Sequence, residues 1–164
     1  MKAVFATIAF LISASNAFAF ELRGVSLGDS ERDVTDAFPS AYCRPLEWKS
    51  SAADRRCDDG KSSFAGVAAR VTFYLKGGRV QAFDVRFDAR ERDRVAAFLR
   101  SHKGKPAEER TETIARRSKE ERRIYRATWR EGNDKAVLTV RLGTRFGLLE
   151  ASRGDFAQKI YEVK

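Results

Sequence analysis

The residues able to do chemistry are few. His102 is the only imidazole, and Cys43 and Cys57 are the only thiols, in 164 residues. An imidazole works as a general base or ligand when a nucleophile or co-ligands stand with it. No motif places a Ser or Cys beside His102. Its position near the end of a helical pattern instead suits a solvent-facing residue favoured by the helix dipole. A metal site needs more ligands than two cysteines supply, and a redox pair normally has CxxC spacing, which this pair lacks. In an exported chain two cysteines pair with each other. We therefore expect a Cys43–Cys57 disulfide, closing a loop of about 15 residues and worth about 3 kcal/mol in the chain-entropy picture. No metal and no cofactor is expected.

Carboxylates are abundant as Asp58-Asp59 and Glu108-Glu109. Glycosidase chemistry needs two acids poised across a cleft, and nothing in the sequence sets these pairs that way. Gly77-Gly78 reads as a turn and not a phosphate cradle, because no helix follows it. No catalytic residue is assigned. The binding candidates are the basic run around Arg116, Arg117, Arg122 and Arg123, which can grip an anionic partner, and Trp48. Trp48 lies in the polar segment between the cysteines, where it serves equally as an interface anchor or as a plug for the core edge. Trp129, which alternates with Tyr125 and Ala127, reads as core.

The elements that must position these residues follow from periodicity. Asp29 or Ser30 caps a first helix, with Glu31 and Asp33 in its first turn, Val34, Ala37 and Phe38 on one face and Pro39 as its stop. A polar disulfide loop follows. Val67, Ala69, Val71, Phe73 and Leu75 alternate on one strand, and Phe83, Val85 and Phe87 on the next. A three-residue loop at Lys76–Gly78 would pair Phe73 with Gln81, Val71 with Phe83 and Arg70 with Asp84, keeping the large residues on one face. A two-residue Gly-Gly turn would set Phe73 against Ala82 and split them. Asp88 caps a second helix with Val95, Phe98 and Leu99 on its apolar stripe and Gly104 at its end. Thr111–Ala115 reads as a short strand. Tyr125–Trp129 and Ala136–Leu142 are further strands, and a Gly143-Thr144 turn sets Leu138 opposite Leu149, Val140 opposite Gly147 and Ala136 opposite Ala151. A short helix carrying Phe156 and Ile160 is expected in 155–164. The fold class read from this is α+β: two helices on one face of an antiparallel sheet of about five strands, in the order α-β-β-α-β-β-β. Val34…Phe38-Pro39 and Val95…Leu99…Gly104-Lys105-Pro106 occupy matching places, as in an internal duplication.

The stretch Gly24-Val25-Ser26-Leu27-Gly28-Asp29-Ser30, followed by Asp33-Val34 and Phe38-Pro39, resembles a helix-opening motif of small exported bacterial proteins. Among them are the small lipoprotein subunit of the β-barrel assembly machine and the β-lactamase inhibitory protein. The resemblance implies helices packed on an antiparallel sheet and a binding scaffold without chemistry. It carries no functional residue across, and this chain has no lipid-attachment cysteine.

Residues 1–19 read as a signal peptide: Lys2, an apolar run Ala3–Ile12, then small residues ending Ala17-Phe18-Ala19, with cleavage after Ala19. The apolar run is shorter than the ~20 residues a spanning helix needs. Residues 20–164 are then one α+β domain, periplasmic or secreted. The formal charge of +9 falls to +8 with the loss of Lys2. A basic chain raises nucleic acid, anionic lipid and acidic polymers as partners. Here, however, the cations interleave with acids: Glu108–Glu131 holds eight Arg and Lys against six Asp and Glu. That pattern is a solvated surface and disfavours nucleic acid. The expected partner is another envelope or secreted protein, with an anionic polymer or lipid as a further candidate. The function expected is a non-enzymatic binding or accessory protein of the bacterial envelope. A secreted inhibitor of a hydrolase is the alternative, and a small hydrolase ranks last.

Overall fold

A computed structural model describes residues 20–115 and 121–162. The first elements are β1 (Glu21–Leu22), β2 (Val25–Ser26), α1 (Glu31–Ala37), β3 (Tyr42–Pro45), β4 (Arg55–Phe64), β5 (Val67–Lys76) and β6 (Arg79–Phe87). A 3₁₀ turn (Ala89–Glu91) leads into α2 (Arg92–Lys103). Then come β7 (Glu108–Ile114), β8 (Arg122–Glu131), β9 (Asp134–Arg141), β10 (Gly147–Arg153) and α3 (Phe156–Lys159). β1 and β2 form a two-stranded ribbon, and the other strands make one eight-stranded sheet in the order β3-β4-β5-β6-β10-β9-β8-β7.

This corrects the expected architecture of two helices on about five strands. The molecule is mostly antiparallel sheet, and each long helix precedes a four-stranded meander. Two strands were hidden in polar sequence, and the short strand expected at Thr111–Ala115 is longer, starting at Glu108. β3 and β4 occupy what reads as a disulfide loop, and their partner strands override the low strand propensity of Arg, Asp, Gly and Ser. β4 points Cys57, Asp59, Ser62 and Phe64 inward and all four are buried. Asp59 is accommodated there by hydrogen bonds from Ser40 Oγ at 2.9 Å and the Lys61 N–H at 2.8 Å. β7 is seven residues long and almost wholly exposed. It is held by its ladder to β8, not by an apolar face.

The expected loop at the first hairpin is also corrected. Lys76 pairs with Arg79 across a two-residue turn, with Gly77 at φ 54° and Gly78 at φ 73°, the left-handed pair that a type I′ turn requires. Phe73 nevertheless faces Phe83, not Gln81, and Val71 faces Val85. Arg70 faces Arg86, and Asp84 faces Thr72. A bulge leaves Gln81 without an opposite residue between the Leu75–Val80 and Tyr74–Ala82 pairs. The bulge re-phases β6 by one residue, so the tight turn and the shared aromatic face coexist. Phe73, Phe83, Val71, Val85 and Phe87 are all buried on that face.

The helices cover this inner face. Ser30 caps α1 in a reciprocal capping box with Asp33, and Val34 and Phe38 are fully buried. Phe38 meets Phe73 edge-on at 5.1 Å. Asp88 caps the 3₁₀ turn, and α2 buries Val95, Ala96 and Leu99 before ending at Gly104. β9 and β10 pair as expected, Leu138 with Leu149, Val140 with Gly147 and Ala136 with Ala151, although the reversal is carried by Leu142-Gly143, closed by the Thr144 N–H on the Arg141 carbonyl at 3.2 Å. The Cys43–Cys57 disulfide is present, joining directly opposed residues of β3 and β4 whose Cα atoms are 3.9 Å apart.

Candidate functional site

Among the described residues, the second face of the sheet is covered only at one end. There α3 and the β3–β4 connection form a small apolar cluster of Ala53, Tyr74, Ala82, Phe156 and Ile160. Trp48 belongs to this cover. Its indole N–H donates to the Ile160 carbonyl at 2.9 Å, and its ring stacks on Tyr161 at 5.9 Å. Its half-buried ring packs on the edge of this cluster. Tyr161, which is 73% exposed, is the aromatic presented to solvent, and no sequence pattern singled it out.

The rest of this face is open, and strand register arranges it in rows. One row runs Arg70, Arg86, Leu148, Thr139, Arg126, Arg110 across β5, β6, β10, β9, β8 and β7. At about 4.8 Å per strand it is roughly 24 Å long. Arg70 directly opposes Arg86, and Arg126 directly opposes Arg110. Like charges set opposite each other are destabilising. Arg110 is compensated by Glu108 and Glu112, whereas Arg70, Arg86 and Arg126 form no ion pair among the described residues. The next row, about 7 Å along the strands, runs Asp58, Thr72, Asp84, Glu150, Val137, Thr128, Glu108. The face is thus a basic stripe beside an acidic one, with half-buried Leu148 and Val137 at its centre.

Asp84 and Glu150 sit directly opposite each other. Burial raises the Asp84 carboxyl to about 7, Glu150 adds to the rise, and Tyr74 Oη, 3.3 Å away, donates to it and opposes the rise. Burial likewise lifts the Tyr74 hydroxyl above its ordinary value, with the Asp84 charge adding to it. Glu150 reaches solvent, yet desolvation on its sheet side shifts it upward too. This pair of acids was not legible in sequence, because residues 84 and 150 meet only through the β6–β10 pairing. Its recess has a volume of about 100 Å³ under Phe156, Ile160 and Tyr161, room for a few waters at ~30 Å³ each, not for a polymeric substrate.

The adjacent acids read from sequence separate onto opposite faces, as strand alternation requires. Asp58 is held on the open face by Arg56 at 2.8 Å and Thr72 at 2.8 Å, while Asp59 points inward. Glu108 lies on the open face and Glu109 on the other, where it accepts from Tyr125 Oη at 2.7 Å. His102 stacks on Phe98, and its Nδ1 is 2.8 Å from the Phe98 carbonyl and 2.9 Å from Ser101 Oγ. Ser101 Oγ donates to that same carbonyl at 2.8 Å. The Ser–His proximity is therefore a shared helix C-terminal cap. The negative end of a helix is the wrong pole for an oxyanion. Glu31 lies beside the two cysteine sulfurs. Those sulfurs are bonded to each other, and Glu31 is held by Arg55 at 2.8 Å and 2.9 Å.

Of the four arginines singled out in sequence, Arg122 lies on the open face at the far end of β8, opposite Ile114. Arg123 is exposed on the other side of that strand. Arg116 and Arg117, like the expected signal peptide 1–19, fall outside the described residues. The arginines the tertiary structure gathers are Arg70, Arg86, Arg110 and Arg126, spread over 57 positions of sequence and invisible as a motif. Comparisons with protein-family models, with curated proteins and with solved structures find no match to this chain.

Proposed function

We propose that the chain is an exported, non-enzymatic binding protein, and that its contact surface is the open face of the eight-stranded sheet. The observation that carries this reading is the arginine row, with two arginine pairs set face to face and three of the four guanidinium groups without an ion pair among the described residues. Such an arrangement costs the free protein stability and is recovered when a partner supplies carboxylates. The acidic row alongside would repel a uniform polyanion. A folded protein with complementary stripes matches both rows, and the apolar centre at Leu148 and Val137 supplies the desolvated patch that such an interface needs. The disulfide is compatible with an oxidising compartment outside the cytoplasm, and no described helix is long and apolar enough to cross a membrane. The resemblance to exported binding scaffolds supports the same class, with the partner being an envelope protein or, as for an inhibitor, a foreign hydrolase.

The test is site-specific photo-crosslinking in the exporting host. A photoreactive residue at Thr139, at the centre of the open face, is expected to capture a discrete protein. The same residue at Arg94, exposed on α2, is expected not to. Reversing Arg70 alone to Glu, which turns its opposition to Arg86 into an ion pair, should weaken capture by about tenfold or more without loss of thermal stability. Capture from Arg94 alone, or capture at Thr139 indifferent to the charge reversal, would refute the assignment.

A further inference from the structure

The opposite side of the sheet carries a second site. Across the inner face, one row runs Trp129, Ala136, Ala151, Phe83. Two alanines side by side between large aromatics leave space above them, and the structure fills it only in part. A cleft of about 570 Å³ remains. Ala136 and Ala151 form its floor. Phe20 and Leu22 wall it on the β1 side, and Phe98 and Leu99 on the α2 side. The lining also includes the polar residues Arg23, Ser63, Ser101, His102 and Lys103, with the Arg23 guanidinium 5.1 Å from the Phe38 ring centre. Lys103 Nζ lies 5.0 Å from the Phe20 ring centre and 3.2 Å from Glu131. The one acid in the lining, Glu21, turns its carboxylate to the Gly24 N–H at 2.9 Å.

We infer that this cleft binds a single-chain anionic amphiphile, with the apolar tail between β1 and α2 and the acid head at Arg23 and Lys103. The volume and the mainly apolar, aromatic lining with a few polar residues fit a small-molecule site, and the two cations of the lining against its one acid favour an anion over a cation. The floor explains why the site is here. Any larger residue at position 136 or 151 would occupy the tail's place. This inference does not rest on the open-face reading, since the two surfaces lie on opposite sides of the sheet and are tested with different ligands.

The experiment is a calorimetric and fluorescence-displacement titration of the delipidated protein, as secreted by its host, with laurate, myristate and palmitate, and with dodecyl maltoside as the neutral control. Saturable one-to-one binding is expected, tightening at least twofold per added methylene, where full burial would give about fourfold. Dodecyl maltoside should bind at least about tenfold more weakly than laurate, whose chain has the same length. Arg23→Gln should weaken the fatty acids about three- to fivefold, as loss of an exposed ion pair does, Lys103→Gln, whose side chain is 17% exposed, at least as much, and both should leave dodecyl maltoside unchanged. Ala151→Leu fills the floor and is expected to abolish binding. Ser101→Trp, at an exposed mouth position, should block entry without touching the core, so a folding defect in the first variant leaves the test intact. Absence of saturable binding, equal affinity for the neutral amphiphile, or unchanged binding in a well-folded Ser101→Trp protein would overturn the inference and leave the cleft to an apolar side chain of a protein.

Discussion

Asp84 sits where burial and Glu150 both oppose its charge, so Asp84→Asn is the substitution whose effect the structure specifies most closely. The folded carboxyl titrates at about 7, against 3.8 for an unperturbed aspartate. Between those values the folded state holds a proton that the unfolded chain has released. Stability then falls as pH rises through the window, and the loss is complete above about 7. A shift of roughly three units corresponds to at most about 4 kcal/mol at 1.36 kcal/mol per unit. Relaxation of the side chain and water entry through the small recess reduce this, and we expect about 2 kcal/mol to be measured. An asparagine keeps a partner for Tyr74 Oη and carries no charge opposite Glu150. Guanidinium unfolding at steps between pH 4.5 and 8 should therefore show Asp84→Asn ahead by at most about 1 kcal/mol at pH 4.5, the advantage widening to about 2 kcal/mol at pH 8. Other charges facing the site are Arg86 and Arg56, which stay protonated throughout the range. The carboxylates with depressed values, Asp33, Asp58, Asp88 and Asp155, titrate below the range tested. Parallel pH profiles for the two proteins, or a less stable variant at pH 8, would refute the reasoning. If the gain is found, the native acid is a cost to the free protein at neutral pH. That is the behaviour expected of a group placed to meet a cation on a partner.

The disulfide and Trp48 give two further predictions. Reducing Cys43–Cys57 opens a loop whose ends are 14 residues apart and should lower stability by about 3 kcal/mol. The melting temperature should fall by roughly 6–12 °C. Hydrogen exchange should rise in β3 and the following connection before it rises in β8 or β9, and an unchanged melting temperature on reduction would contradict this. Trp48→Ala removes the bond to Ile160 and the stack on Tyr161, costing about 2 kcal/mol in a denaturant titration. Trp48→Phe, which keeps a ring but loses the donor, should cost about 1 kcal/mol. Lost partner capture with no change in stability would show instead that Trp48 is an anchor for a partner.

The features legible in the chain alone are local. Apolar alternation set the buried faces of β5, β6, β8 and β9, because side chains on a strand point alternately and one face must leave water. Cap residues placed the starts of both helices, since an orphan N–H group needs an acceptor within three residues. The spacing of Ala136, Leu138 and Val140 against Gly147, Leu149 and Ala151 gave the β9–β10 register, and two cysteines in an otherwise thiol-free chain gave the disulfide. The tertiary structure decided everything that depends on which strand lies beside which. β3 and β4 are strands because ladders pair them, although their own residues favour loops, and the ladder to β8 extends β7 back to Glu108 beyond the stretch legible in sequence. The bulge at Gln81 arises because a two-residue turn and a one-faced core cannot otherwise be met together, a conflict between neighbouring levels that no window of sequence resolves. The arginine row exists because β6 and β10 join the two meanders, bringing Arg70 and Arg86 into line with Arg126 and Arg110. The same junction sets Asp84 against Glu150 in a shared low-dielectric recess. Charge and proton affinity at those positions are properties of distance through space, and distance through space is what folding alone supplies.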